Sequence, residues 1–280
     1  MNVDLHCHSA VSDGALAPAA VVWRAAQQGV EALALTDHDQ LGGLDEAREA
    51  ARDAGIRFVD GVEVSVTWRG ATLHVVGLRI DPLDAQLVAA LQSLRGGRLG
   101  RAQRIAQSLS VAGVRGGAEA ILRGALRQAD DPAMIGRTHF ARYLAEIGLV
   151  ADGKAAFRRY LTPGKPGYVP YQWATLADAL RWIRGAGGVA VLAHPGRYGL
   201  SAAAMDELLV EFRDAGGTAI EAVTGSHSPD QYRMFGAIAR QHGLSLSRGS
   251  DFHGPGEGAE LGSLPTPSLP APEVWRGWSL

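Results

Sequence analysis

Apolar and polar residues alternate from the start of the chain. Val3, Leu5 and Cys7 interleave with Asp4, His6 and His8. This is the period of a strand, and it places both imidazoles on one side. A turn over 9–14 contains Asp13, and a helix follows with Leu16, Ala20, Trp23 and Ala26 on one face, closed by Gly29. The apolar run 32–35 reads as a buried strand ending in Thr36-Asp37-His38-Asp39. A second helix spans about 43–54 and stops at Gly55. The strand 57–64 carries Glu63 near its end, and a hairpin at Arg69-Gly70 leads into a strand over 72–76 that holds His74.

Residues 84–171 break this rhythm. They are helical in pattern, rich in Arg, Ala and Leu, and punctuated by Gly96-Gly97, Gly116-Gly117, Asp131-Pro132 and Pro163-Gly164. The alternation resumes with a helix over 176–184 and a buried strand over 188–192 ending in Ala193-His194-Pro195. A helix over 203–215, a strand over 219–223 and a helix over 230–243 follow. The last strand, 244–247, leads into Gly249-Ser250-Asp251-Phe252-His253. Such alternation predicts an α/β fold with a largely parallel sheet. The predicted organisation is a barrel from 1–83 and 172–264, an inserted helical cap over 84–171, and a proline-rich tail over 265–280 packed on the barrel.

Composition narrows the class. With 280 residues, 46% of them hydrophobic and 20% charged, the chain can bury one large core and remain soluble. The single cysteine, Cys7, excludes an internal disulfide and reads as a small buried residue between two histidines. No secretory pattern opens the chain and no apolar run is long enough for a bilayer, so a cytoplasmic protein with no membrane partner is expected. The net charge of -2 hides an asymmetry. Residues 95–165 carry thirteen basic and five acidic residues, net +8, while the remainder carries fourteen basic and twenty-four acidic, net -10. A basic segment within an acidic body suits either an anionic ligand or a solvated helix face.

The chemistry lies in where the predicted strands end. His6, His8, Asp13, His38, Glu63, His74, His194, Asp251 and His253 all fall at or near such ends, and they include six of the nine histidines. The C-terminal ends of strands in barrels and open α/β sheets build one mouth, so these side chains should converge. A closed structural zinc site would need a cysteine cluster, which is absent. Mixed imidazole and carboxylate donors suit Mn, Zn, Fe or Co in hydrolytic sites of two or more ions. Glu63 and Asp251 can bridge two such ions, and a bridging hydroxide would be the nucleophile.

Asp-Leu-His-Cys-His-Ser, Thr-Asp-His-Asp, Gly-Val-Glu, Ala-His-Pro and Gly-Ser-Asp-Phe-His occur in this order from Asp4 to His253. Together they resemble the polymerase and histidinol phosphatase (PHP) family. The resemblance implies a distorted (β/α)7 TIM-like barrel with two or three divalent ions. It implies that His6, His8, Glu63 and Asp251 hold one ion, that Glu63, His74 and His194 hold a second, and that Asp13, His38 and His253 hold a third. Asp13, the chain length and the inserted Ile135-Gly136-Arg137-Thr138-His139-Phe140-Ala141-Arg142 segment are most similar to the stand-alone nucleoside 3',5'-bisphosphate phosphatases, some relatives of which trim RNA 5' ends. Thr138 departs from the proline expected in that segment.

The function this implies is removal of the 3'-phosphate from a nucleoside bisphosphate, with short RNA 5' ends as a further substrate. Arg137, Thr138, His139, Lys165, Arg197 and His227 are the candidates for contact with substrate phosphate. His242, in a predicted helix, is assigned a structural role. Histidinol-phosphate hydrolysis and a non-catalytic PHP module are the alternatives. The amidohydrolase barrel is disfavoured because its bridging lysine has no counterpart: Lys154 and Lys165, the only lysines, end no predicted barrel strand.

Overall fold

Seven strands form one sheet in chain order in the computed structural model, which describes residues 1–278. Ser279 and Leu280, part of the predicted tail, lie outside the described residues. The strands are β1 (Val3–Asp4), β2 (Ala32–Leu35), β3 (Arg57–Trp68), β4 (Ala71–Leu78), β5 (Val189–Leu192), β6 (Ala219–Thr224) and β7 (Ser245–Gly249). Neighbours run parallel except at β4, which is antiparallel to both β3 and β5. The edges meet: Leu5 N–H donates to the Arg248 carbonyl at 2.9 Å, Asp251 N–H to the His6 carbonyl at 2.8 Å, and His8 N–H to the Phe252 carbonyl at 2.9 Å. These bonds close the expected α/β TIM-like barrel of seven strands.

Helices α1 (Pro18–Gln27), α2 (Leu44–Ala54), α3 (Ala85–Arg95), α4 (Arg98–Val111), α5 (Gly117–Leu126), α6 (Arg137–Glu146), α7 (Gly153–Ala156), α8 (Leu176–Gly185), α9 (Ala202–Asp214) and α10 (Pro229–His242) fill the connections. Strand residues alternate between two cores. Ala32, Ala34, Val59, Val76, Val191 and Ala219 cluster inside the barrel with Val3 and Leu5. Their neighbours Leu33, Leu35, Val62, Val64, Leu192 and Ile220 face outward into a larger core with the helices. Helix ends follow local chemistry: Ser228 and Gln231 form a reciprocal capping box on α10, and Gly243 ends it at φ 66°.

The insertion has its own core of Ala102, Ile105, Leu109, Ile121, Phe140, Leu144 and Leu161. It starts later than residue 84, because α3 buries Leu87 and Leu91 in the barrel's outer core. Val274 N–H donates to the Leu246 carbonyl at 2.8 Å, and Val274, Trp275 and Trp278 pack against the barrel-interior cluster.

Three local expectations change. The buried face of α1 is Val21, Val22 and Ala25, which join the outer core, while Trp23 is 45% exposed. β1 stops at Asp4, and the alternation breaks after it, since Leu5 lies in the inner core and Cys7 in the outer. β3 runs on to Trp68 because residues 61–68 pair with β4 after residues 57–60 have paired with β2, so Glu63 sits in mid-strand.

Candidate metal centre and anion site

All nine candidate ligands converge on one end of the barrel. His38, His194, Asp251 and His253 follow β2, β5 and β7. His74 lies early in β4, and because β4 is antiparallel that is the same end. Their donor atoms form four groups, each within 4.8 Å: His8, Asp13, His38 and His253; His6, His8 and Asp251; His6, Glu63 and His194; His38, Glu63 and His74. Glu63 is the hub. Its Oε1 lies 3.0 Å from His74 Nδ1, 3.0 Å from His194 Nε2 and 3.3 Å from His6 Nε2, and its Oε2 lies 2.8 Å from His38 Nδ1 and 3.4 Å from His8 Nε2. Asp13 Oδ1 lies 3.3 Å from His253 Nε2, and Asp251 Oδ1 lies 3.2 Å from His8 Nε2.

This donor set fits cations. His8 Nδ1, Asp13 Oδ1, His38 Nδ1, Glu63 Oε2 and His194 Nδ1 are buried with no hydrogen-bond partner. His38 Nδ1 and Glu63 Oε2 are close yet lack hydrogen-bond alignment, so their lone pairs remain unused. Ring nitrogens also face each other, His6 Nε2 to His8 Nε2 at 3.2 Å and His74 Nδ1 to His194 Nε2 at 3.3 Å. Buried orphan acceptors are costly unless a ligand satisfies them. Burial lowers His8 to about 3, helped by His253 and His38, and lowers His194 to about 3, helped by Arg197. Burial opposes the charge on Glu63, but His74, His38 and His6 outweigh it and hold the carboxyl well below its usual range. His8 and His194 are therefore neutral imidazoles beside an ionised carboxylate, the forms that bind metal. Burial also works against charge on His6, His38 and His253, but the carboxylates facing them outweigh it and raise all three.

A polar scaffold beneath these groups was not foreseen. Asp37 accepts from Ser9 N–H at 2.8 Å, Ser9 Oγ at 2.6 Å and Ser12 Oγ at 2.5 Å, which fixes the turn carrying Asp13. Asp39, at φ 50°, accepts from Ser65 N–H at 2.8 Å and pairs with Arg98 of the insertion. Gly249 lets β7 approach His6; a Cβ there would overlap the His6 side chain.

The insertion lays arginines beside this centre. Arg98, Arg101, Ala102, Ile105 and Leu109 form the buried stripe of α4. The Trp173 ring lies 4.9 Å from the Arg98 guanidinium and 5.3 Å from that of Arg101. Burial lowers Arg101 to about 9, and Arg137 and Arg98 add to the shift. Arg137 is lowered as well, by burial first. Arg98 has Asp39 as a counter-ion; among the described residues neither Arg101 nor Arg137 has a carboxylate partner, and they donate to the Val169 carbonyl at 3.0 Å and the Leu161 carbonyl at 3.2 Å. Buried guanidinium groups without an acid make an anion site. Arg98 and Arg101 were readable: they fall on the apolar stripe of their helix, where a solvated face would not be.

The other phosphate candidates divide. Arg197 donates to Asp251 Oδ2 at 2.5 Å on the rim. Thr138 and His139 begin α6, which Arg142 ties to the Gly14 and His253 carbonyls at 3.4 Å. His139 is buried, and its Nδ1 accepts from Gly136 N–H at 3.0 Å. Lys165 is an exposed cap residue. His227 is a correction: its Nδ1 faces the Ala222 carbonyl at 3.0 Å and its Nε2 accepts from Gly196 N–H at 2.9 Å. With both nitrogens used, it supports the His194–Arg197 turn and is not free for substrate. His242 and Cys7 are structural as expected, with His242 Nε2 3.0 Å from Asp206 and Cys7 Sγ 3.2 Å from the Ala34 carbonyl.

Burial lowers His139 to about 4, below its ordinary 6.5. A histidine held neutral by the fold contributes stability that is full above 6.5 and is lost as pH falls from 6.5 towards 4. The difference is worth on the order of 3 kcal/mol. Denaturant melts of His139→Gln between pH 7 and 4 should show a flatter decline than wild type; parallel declines would remove His139 from the titration.

Residues 4–182 match the PHP domain family, and the chain belongs to it. It is 52% identical over 278 residues to a 3',5'-nucleoside bisphosphate phosphatase of Chromobacterium violaceum, covering 98% of this chain and 95% of that protein. It is 41% identical over 277 residues to the 5'-3' exoribonuclease Rnm of Escherichia coli, covering 98% and 93%. A solved Chromobacterium violaceum structure, described as an amidohydrolase with bound sulfate and no metal, superposes with a TM-score of 0.93 at 51% identity, covering 99% of this chain and 95% of that one. Among the described residues no helix is long and apolar enough to cross a membrane.

Proposed function

We propose that the protein is a metal-dependent phosphatase that removes the 3'-phosphate from nucleoside 3',5'-bisphosphates. The observation that carries this reading is a cluster rich in orphaned donors set beside two guanidinium groups, Arg101 buried and Arg137 half-buried, that lack an acid partner among the described residues. Two or three divalent ions, Mn first and Zn, Fe or Co as alternatives, suit the mixed donors. His6, His8, Asp13, His38, Glu63, His74, His194, Asp251 and His253 would hold them. Ions there would polarise phosphoryl oxygens and lower the pKa of water.

The chain's own groups bind and orient. Arg197, now on Asp251, can transfer its guanidinium to an oxygen of the reacting 3'-phosphate. Arg101 and Arg137 take the 5'-phosphate, with Arg98 behind them, so the two phosphates fix the direction of the nucleotide. Thr138 and His139 follow Arg137 in the first turn of α6 and would meet the same phosphate, and Lys165 adds long-range attraction from the cap surface. The same 5'-phosphate subsite supports a second reading, trimming of short 5'-phosphorylated RNA. The name of the Escherichia coli relative and the net +8 segment 95–165 favour it.

A substrate panel tests the reading. After chelation and return of Mn, phosphate release from 3'-phosphoadenosine 5'-phosphate should exceed that from histidinol phosphate and an aryl phosphate by at least about tenfold in kcat/KM, the worth of one ionic hydrogen bond. A preference for histidinol phosphate would favour that rival, and no release from any substrate would favour a non-catalytic module. Amide hydrolysis remains disfavoured, since Lys154 and Lys165 both lie in the insertion.

A further inference from the structure

Glu221 belongs to none of the four donor groups, yet it touches two of their members. It sits on β6, facing inward like Ala219, and is 1% exposed. Its Oε1 lies 2.7 Å from His6 Nδ1, and its Oε2 accepts from the His194 backbone N–H at 2.7 Å. His194 has φ 27° and ψ 56°, a conformation few side-chain-bearing residues adopt. This turn directs the imidazole of His194 to Glu63. On the other side, a proton on His6 Nδ1 leaves His6 Nε2 to face the cluster, 3.2 Å from His8 Nε2 and 3.3 Å from Glu63 Oε1. One buried carboxylate thus meets a ring on β1's extension and a strained turn after β5.

We propose that Glu221 is the positioning residue of the metal centre. It selects the His6 tautomer that presents Nε2, and it locks the backbone that aims His194. Both oxygens are occupied by N–H groups, so Glu221 acts through these two histidines and is not itself a ligand. The proposal rests on the reading that the cluster holds divalent ions. A carboxylate behind a ligating histidine fixes its orientation and raises its basicity, and losing one costs about 10–100-fold in metal affinity.

A neutral amide cannot do both jobs. In Glu221→Gln the side-chain oxygen can accept from only one of the two N–H donors, and the NH2 group opposes the other. The test measures Mn binding to the metal-free protein by competition with a fluorescent chelator, alongside circular dichroism and melting of the metal-free form. Glu221→Gln should bind Mn about 10–100-fold more weakly than wild type with an unchanged fold, and saturating Mn should recover much of the lost turnover. Glu221→Asp, which keeps the charge but shortens the reach, should fall between the two and serves if the glutamine variant fails to fold.

Wild-type Mn affinity in a folded variant overturns the proposal, as does a lower melting temperature with unchanged affinity, which marks a merely structural role. Loss of one whole equivalent of bound Mn overturns it too, since that would make Glu221 a ligand. Failure of the wild type itself to bind Mn would instead remove the metal reading on which the proposal rests.

Discussion

Glu63→Gln should abolish turnover almost completely. Glu63 is fully buried, and five histidine nitrogens lie within 3.4 Å of its two oxygens. Glutamine is nearly the same shape, so the change removes charge and one acceptor and little packing. Glu63 would help hold the ions, and its charge would contribute several kcal/mol to keeping them and to the transition state. At 1.36 kcal/mol per factor of ten, the loss in kcat should reach roughly a thousandfold or more at ordinary Mn concentrations. Metal analysis should show fewer bound ions per chain than in wild type. Near wild-type turnover with full metal content would mean that Glu63 does not bridge.

The second large effect concerns recognition of the second phosphate. Arg137→Ala should lower kcat/KM for a nucleoside 3',5'-bisphosphate by roughly ten to a few hundredfold, the loss of a charge-assisted contact worth about 1.5–3 kcal/mol. Hydrolysis of a small aryl phosphate should barely change, because it carries no second anion. Arg101→Ala should behave alike, since Arg101 lies close enough to Arg137 to feel its charge and also lacks an acid partner among the described residues. Added salt should weaken bisphosphate binding more in wild type than in either variant. Arg137 also packs near the Phe157 and Tyr168 rings, at 5.7 Å and 5.9 Å. Equal losses on both substrates would therefore place it in the cap's structure or at the reacting phosphate.

The barrel and its donor cluster were legible because their signals are local. All the candidate ligands but Glu63, which sits in mid-strand, lie at or near places where an apolar run gives way to a turn, and the chain's own order then brings those ends together. His74 fits the same rule once β4 is seen to run backwards, which the short Arg69-Gly70 turn already implied. What sequence could not give depends on partners distant in the chain. Trp23 looked like core by helical spacing, but Val21, Val22 and Ala25 face the outer core instead. His227 looked free because its partners are backbone atoms of Gly196 and Ala222. Glu221 was one carboxylate in an apolar strand. Its value appears only when β1, β5 and β6 bring His6, His194 and Glu221 within 2.7 Å contacts.

The most direct measurement is a titration of the metal-free protein with Mn, counting bound ions per chain while following phosphate release from 3'-phosphoadenosine 5'-phosphate. More than one ion should bind per chain, activity should be absent before metal is added, and it should rise with occupancy of the cluster. Full activity with a single bound ion, or with none, would contradict a multinuclear centre built from these nine residues.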